Sequence, residues 1–118
     1  MAFGSFEDLE VWRRASRLAV DIYRLLADCK DLGLKDQMTR SAVSIASNIA
    51  EGAERGTSGD FVRFLRIAKG SAAELRTQFY IASEIGLIPN ADNKHQLITE
   101  LKAISSMLQG LISSLQHK

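Results

Sequence analysis

One cysteine, one proline and two histidines in 118 residues exclude several kinds of protein before any pattern is sought. Cys29 has no partner for an internal disulfide, so the chain folds without that staple, and a reduced cytosolic thiol at a helix end is the reading of this residue. The histidines, His95 and His117, are too few for the paired Glu-x-x-His sets of bundle di-metal centres. Only Asp92-x-x-His95 comes near that spacing, and no metal or cofactor is expected. Ser41, Ser44 and Ser47 have no histidine close in sequence to activate them, and Lys69-Gly70-Ser71 reverses the order that a phosphate loop requires. A non-enzymatic protein is expected.

An excess of charge is also missing. Fifteen Lys and Arg against fourteen Asp and Glu leave a formal charge of +1, so any affinity for a polyanion has to come from local clustering. No run approaches the length of apolar sequence that spans a bilayer, and the N-terminus lacks a signal-peptide pattern. The expectation is a soluble, cytoplasmic protein with no membrane partner.

What is abundant is apolar residues at helical spacing. From Phe6 to about Asp28, with Ser5 as N-cap, Trp12, Ala15, Ala19, Ile22 and Leu26 alternate steps of three and four. Leu9 and Tyr23 widen that seam on one side, and Val11, Leu18 and Leu25 on the other. Gly33 reads as a left-handed stop, and a second helix from Leu34 or Lys35 follows with the seam Met38, Ala42, Ile45, Ile49 and Gly52 or Ala53. After Gly56-Thr-Ser-Gly59, with Ser58 as N-cap, Phe61, Leu65, Ala68, Ala72, Leu75, Phe79 and Ala82 keep fours and threes without a miss. Gly86 to Asn90 turns the chain into a last helix from Ala91 or Asp92 to Leu115, with the seam Leu97, Leu101, Ile104, Leu108, Leu111 and Leu115 flanked by Ile98 and Ile112. Three short connections call for antiparallel neighbours. The fold class is therefore all-α, an up-down-up-down antiparallel four-helix bundle about 36 Å long in a single domain over residues 1–118. Trp12, Ile45, Ile49, Phe61, Leu65, Leu75, Leu101 and Leu108 are its expected core.

Three surfaces remain once the seams are assigned. Ser41, Ser44, Asn48, Glu51 and Arg55 form a polar strip beside the second seam, either a mutually satisfied buried network, the commoner outcome, or a ligand surface. Arg66, Lys69 and Arg76 form a basic strip on the third helix, which Arg13, Arg17 and Arg24 of the first could extend; such strips serve phosphate contact or are ordinary solvated faces. Phe64, Ile67, Gly70, Ile81 and Ile85 add apolar or small surface beyond one partner groove, a candidate oligomer interface. Gly70 in mid-helix costs about 1 kcal/mol relative to alanine, which a close backbone approach would offset.

Phe6-Glu-Asp-Leu-x-Val-Trp12, Gly33-Leu-x-Asp-Gln-Met-x-Arg-Ser-Ala-Val-Ser-Ile45, Asn48-Ile-Ala-Glu-Gly52 and Phe64-Leu-x-Ile-Ala-x-Gly-Ser71 with Glu74 resemble the bacterial four-helix bundle proteins encoded in intervening sequences of 23S ribosomal RNA genes. Those proteins in turn look like relatives of the accessory variability determinant of diversity-generating retroelements. The resemblance implies a homo-oligomer, a pentameric ring, with RNA or DNA and a reverse transcriptase or another protein as partners. The chain departs from the pattern at Ala46, where proline is common, and at Ala53, where an aromatic is common; the first implies a straighter second helix. Two functions follow: a nucleic-acid-associated accessory factor, or a self-assembling scaffold or protein-binding module without nucleic acid.

Overall fold

The two long central helices begin where a side chain satisfies a free N–H group of the first turn and end at a glycine whose backbone turns left-handed. A computed structural model describes residues 4–88 and 93–117. In it a short 3-10 turn, Phe6–Asp8, precedes α1 (Glu10–Leu25), α2 (Leu32–Glu54), α3 (Ser58–Glu84) and α4 (Asn93–Gln116), with no strand among the described residues. Met1–Phe3, the Pro89-Asn90 turn, the expected α4 starts at Ala91 or Asp92, and Lys118 lie outside the described residues.

The boundaries correct the expected ones in physically informative ways. Ser5 does cap, accepting from the Glu7 N–H at 3.2 Å, but it caps the 3-10 turn rather than α1. Leu9 is extended, with φ −77° and ψ 123°, and separates the two; it tucks against the core instead of continuing a helix. Gly33 is not a stop. The Asp31 carboxylate accepts the Leu34 N–H at 3.0 Å, starting α2 at Leu32, so Gly33 falls inside its first turn. Likewise Thr57, one residue before Ser58, is the cap of α3, accepting from Asp60 N–H at 3.2 Å. The true left-handed glycines are Gly56 (φ 85°) and Gly86 (φ 79°). At the second, Leu87 N–H reaches Ala82 C=O at 2.9 Å and Gly86 N–H reaches Ser83 C=O at 3.1 Å, the paired bonds of a Schellman motif.

The helices pack as a ring in which α1 touches α2 and α4, and α3 touches α2 and α4, with no close backbone approach across either diagonal among the described residues. Gly52 lies against Phe61 and Phe64 while Ser44 bonds Ser71, so α2 and α3 run in opposite directions. Ser58 and Val62 lie near Leu115, and Lys69 reaches Gln109, so α3 and α4 are antiparallel too. The molecule measures 46 × 21 × 20 Å, longer than the expected bundle because α3 has 27 residues and projects past the 16-residue α1.

The core follows the seams of α2 and α3 residue for residue: Met38, Ala42, Ile45 and Ile49, then Phe61, Leu65, Ala68, Ala72, Leu75, Phe79 and Ala82 are all buried. Each large side chain there contributes roughly 1.5–3 kcal/mol by leaving water. Two seams shift sideways. In α1 the buried set is Val11, Ala15, Leu18, Ala19 and Ile22, while Trp12 is only partly buried, with its ring edge-on to Phe6 at 5.2 Å; Tyr23 is exposed. The indole packs against Phe6 of the N-terminal turn, at the margin of the core. In α4 the expected seam passes from Leu108 to Leu111, but Ile112 is fully buried and Leu111 only partly. A straight helix drifts by about 20° per two turns against strict three-four spacing, which turns position 112 inward by the C-terminus.

Candidate functional site

On α3 the residues 62, 66, 69, 73 and 76 repeat the spacing of the core seam displaced by one position, which rotates them about 100° toward α4. Arg66, Lys69 and Arg76 thereby come to line one open groove of about 460 Å³ between α3 and α4. Gly70 and Ala73 lie between the cations and keep that wall low. Ser105, Gln109 and Ile112 form the α4 side. None of the eight residues lining the groove is acidic and none is aromatic.

The lysine is held in place. Lys69 Nζ donates to Gln109 Oε1 at 2.7 Å, and Gln109 Nε2 donates onward to Ser113 Oγ at 3.2 Å, so the ammonium bridges the two helices. Among the described residues neither the Arg66 nor the Arg76 guanidinium has a hydrogen bond or an ion pair. Gln109 and Ser105 were missed in the sequence, although their spacing of four beside the Leu108 and Ile112 positions places both on the flank that faces an antiparallel α3.

The other flank of α3 is closed. Ser44 and Ser71 hydroxyls lie 2.9 Å apart across the α2–α3 seam, and Asn48 Nδ2 donates both to Ser44 Oγ at 2.9 Å and to Ser44 C=O at 2.8 Å. Ser41 is buried beside them. Farther along, Arg55 pairs with Glu51 at 3.4 Å and stacks over the Phe64 ring at 4.9 Å from its centroid, while Arg63 does the same at 4.8 Å. The polar strip of α2 is thus spent on α3 and on itself.

Arg13, Arg17 and Arg24 do not join the basic groove, because α1 packs against α2 and α4 and not against α3. Arg13 is moreover engaged by Glu7 C=O at 2.9 Å and by Asp8 at 3.9 Å. Arg14, passed over in the sequence, makes the inter-helix ion pair of α1: it grips Glu100 of α4 with two parallel hydrogen bonds, one of them Nε to Oε2 at 2.8 Å. That hydrogen bonding holds the Arg14 guanidinium above its ordinary pKa, opposed by partial burial and helped by the charges of Glu100 and Glu10.

Of the candidate interface residues, Phe64 is turned inward onto Gly52 and is buried. Ile67, Ile81 and Ile85 are about half exposed and share one side of α3. Tyr80, unremarked in the sequence and equally exposed, lies instead one turn beyond Arg76 on the helix face that carries Arg66, Lys69 and Arg76. Gly70 has open space where a Cβ would project, so no helix of its own chain approaches it. Asp92 of the Asp92-x-x-His95 spacing lies outside the described residues, among which no group of three or more His, Cys, Asp or Glu gathers to hold a metal. No helix among the described residues is long and apolar enough to cross a membrane.

The family model of the 23S rRNA-intervening sequence protein matches residues 7–110, nearly the whole chain. The chain belongs to this family. All four helices and every residue of the groove except Ile112 fall inside or overlap the matched span, and Ile112 lies just beyond it. The fold is similar to the crystal structure of a protein with unknown function from the S23 ribosomal protein family of Bacteroides thetaiotaomicron VPI-5482, with a TM-score of 0.79 at 24% identity, covering 86% of this chain and 97% of that one. At that identity the likeness carries the fold alone. Among curated proteins none matches the chain. The four-helix architecture is shared with that structure, and α2 runs unbroken through Ala46, the position at which this chain departs from the proline of the pattern.

Proposed function

We propose that this member of the 23S rRNA-intervening sequence protein family is a non-enzymatic, cytoplasmic accessory factor that assembles with copies of itself and binds RNA or DNA through the α3–α4 groove, the whole chain acting as one four-helix unit. The observation that carries this reading is the convergence of Arg66, Lys69 and Arg76 on one groove that has no carboxylate in its lining. A chain of formal charge +1 has little field of its own at long range, but a cationic groove concentrates it, and a symmetric assembly repeats it. The half-exposed Ile67, Ile81 and Ile85 supply apolar surface for such an assembly. A pentameric ring and a reverse-transcriptase partner rest on resemblance alone.

The test is fluorescence anisotropy with labelled RNA and DNA across a salt series. Binding should fall steeply as salt rises, and the double variant Arg66→Ala, Lys69→Ala should weaken all sequences alike while flattening the salt dependence. Absence of binding at low salt by micromolar protein removes this reading. A second reading, a self-assembling scaffold without nucleic acid, is favoured by the same exposed isoleucines. Light scattering that shows an oligomer, dissociated by Ile81→Glu, combined with no nucleic-acid binding, would select it.

A further inference from the structure

We infer that the α3–α4 groove takes the sugar-phosphate backbone of a single strand, with one phosphate near each of Arg66, Lys69 and Arg76, and that Gln109 is a positioning residue which holds Lys69 over that path. The inference rests on the nucleic-acid reading above and deepens it.

Shape decides against a duplex. A double helix presents a convex surface and is read by ridges that enter its own grooves, whereas here the cations lie along a concavity between two helices in a body only 21 × 20 Å across. A concave cationic track suits one extended chain. Its length points the same way: Arg66 and Arg76 are ten residues apart on one helix, about 15 Å along the axis, so the charges form a line rather than a cluster around one small anion. No aromatic lines the groove itself, so contacts between Arg66 and Arg76 fall to phosphate and sugar, and the half-exposed Tyr80, one turn beyond Arg76 on the same face, is the single ring within reach of the track's end. Ser105 and Gln109 on the facing wall offer hydroxyl and amide groups to the sugar edge.

Gln109 matters because it fixes the middle charge. A free lysine side chain loses much rotamer entropy on engaging a phosphate; Lys69 is already drawn across the groove by the 2.7 Å bond to Gln109, which Ser113 steadies from behind. The amide supplies this without neutralising the ammonium.

The experiment measures binding of a short mixed-sequence single strand, as RNA and as DNA, and of the matching duplex. Poly-glutamate serves as competitor, and each titration is repeated over a range of salt. Single strands should bind at least tenfold tighter than the duplex, with log affinity falling against log salt at a slope of about −2, the value for three neutralised phosphates on a single strand. Gln109→Glu places a carboxylate against Lys69 at an exposed position; it should weaken single-strand binding several-fold and reduce the slope by about 0.7. Gln109→Met keeps the length and loses the bond, and its loss should combine with that of Lys69→Ala to less than their product, the signature of coupled residues. Should Gln109→Glu melt early, Ala73→Glu on the exposed opposite wall repeats the measurement. Equal or tighter duplex binding, or wild-type affinity and slope in Gln109→Glu while the Arg66, Lys69 double variant still weakens binding, overturns the single-strand inference and leaves the nucleic-acid reading standing. Poly-glutamate competing as well as the strand reassigns the groove to an acidic protein segment. No binding of any strand removes both readings.

Discussion

Helix α3 meets its two neighbours in opposite ways. On the α2 side Gly52 presents no side chain, and the Phe64 Cβ sits 2.6 Å from where a Cβ on that glycine would stand; Ser44, Asn48 and Ser71 fill the rest of the seam with short hydrogen bonds. On the α4 side the facing residues are long and charged, Gly70 has nothing within 4 Å of its missing Cβ, and the surface stays open as a groove. Residue size at a helix contact sets how closely two axes approach. The same rule produces both flanks: small residues on a polar seam close it, and small residues between cations leave room for something from outside the chain. A glycine is therefore informative only together with what stands opposite it.

The largest expected effect removes what both flanks share. Leu65→Ala empties a fully buried site on the central seam and should cost about 2–5 kcal/mol, read as a lower denaturant midpoint; an unchanged midpoint would contradict the shared core. Next, Gly52→Ala forces the α3 backbone away, since the clashing atom is the root of the Phe64 side chain. About 1–3 kcal/mol of overpacking should outweigh the roughly 1 kcal/mol that alanine gains in helix propensity. Gly70→Ala should do the reverse and raise stability by about 1 kcal/mol, because the helix gains and nothing is crowded. Midpoints that move in the same direction for these two alanines would break the contrast between the flanks. The smallest effect concerns the far side of α4. Glu100→Gln removes the charge that Arg14 grips, and since both side chains are about one-third exposed the loss should stay under about 1 kcal/mol and shrink with added salt.

The long seams of α2 and α3 were legible because a three-four repeat over five positions in one and seven in the other admits one buried face, and the structure buries that face. Ends were less legible. Ser5, Asp31, Thr57 and Ser58 are all cap-forming residues, and which one caps depends on local backbone geometry that composition does not carry: Leu9 had to be extended, and Asp31 had to outcompete Gly33. Trp12 and Leu111 were misplaced for local reasons: Trp12 packs against Phe6 of the N-terminal turn, and the drift of a straight helix against strict three-four spacing brings Ile112 inward in place of Leu111. The basic strip was visible as a helix face, but that it borders a groove depends on α4, and Gln109 becomes meaningful only once Lys69 is seen to reach it. Arg14 was hidden because its partner is 86 residues away in sequence.

Gly56 and Gly86 fix both ends of α3 by left-handed backbone, and between them the buried face returns at every seventh residue from Phe61 through Ala68 to Leu75 and Ala82. Adding one residue inside that span would turn everything beyond it by about 100°, carrying Arg76 out of the groove and Phe79 out of the core together. The cationic track cannot then be lengthened gradually. It grows or shrinks by blocks near a whole number of turns, about seven or eleven residues, each matched by an equal block in α4, whereas single insertions scattered along the helix break core and groove together.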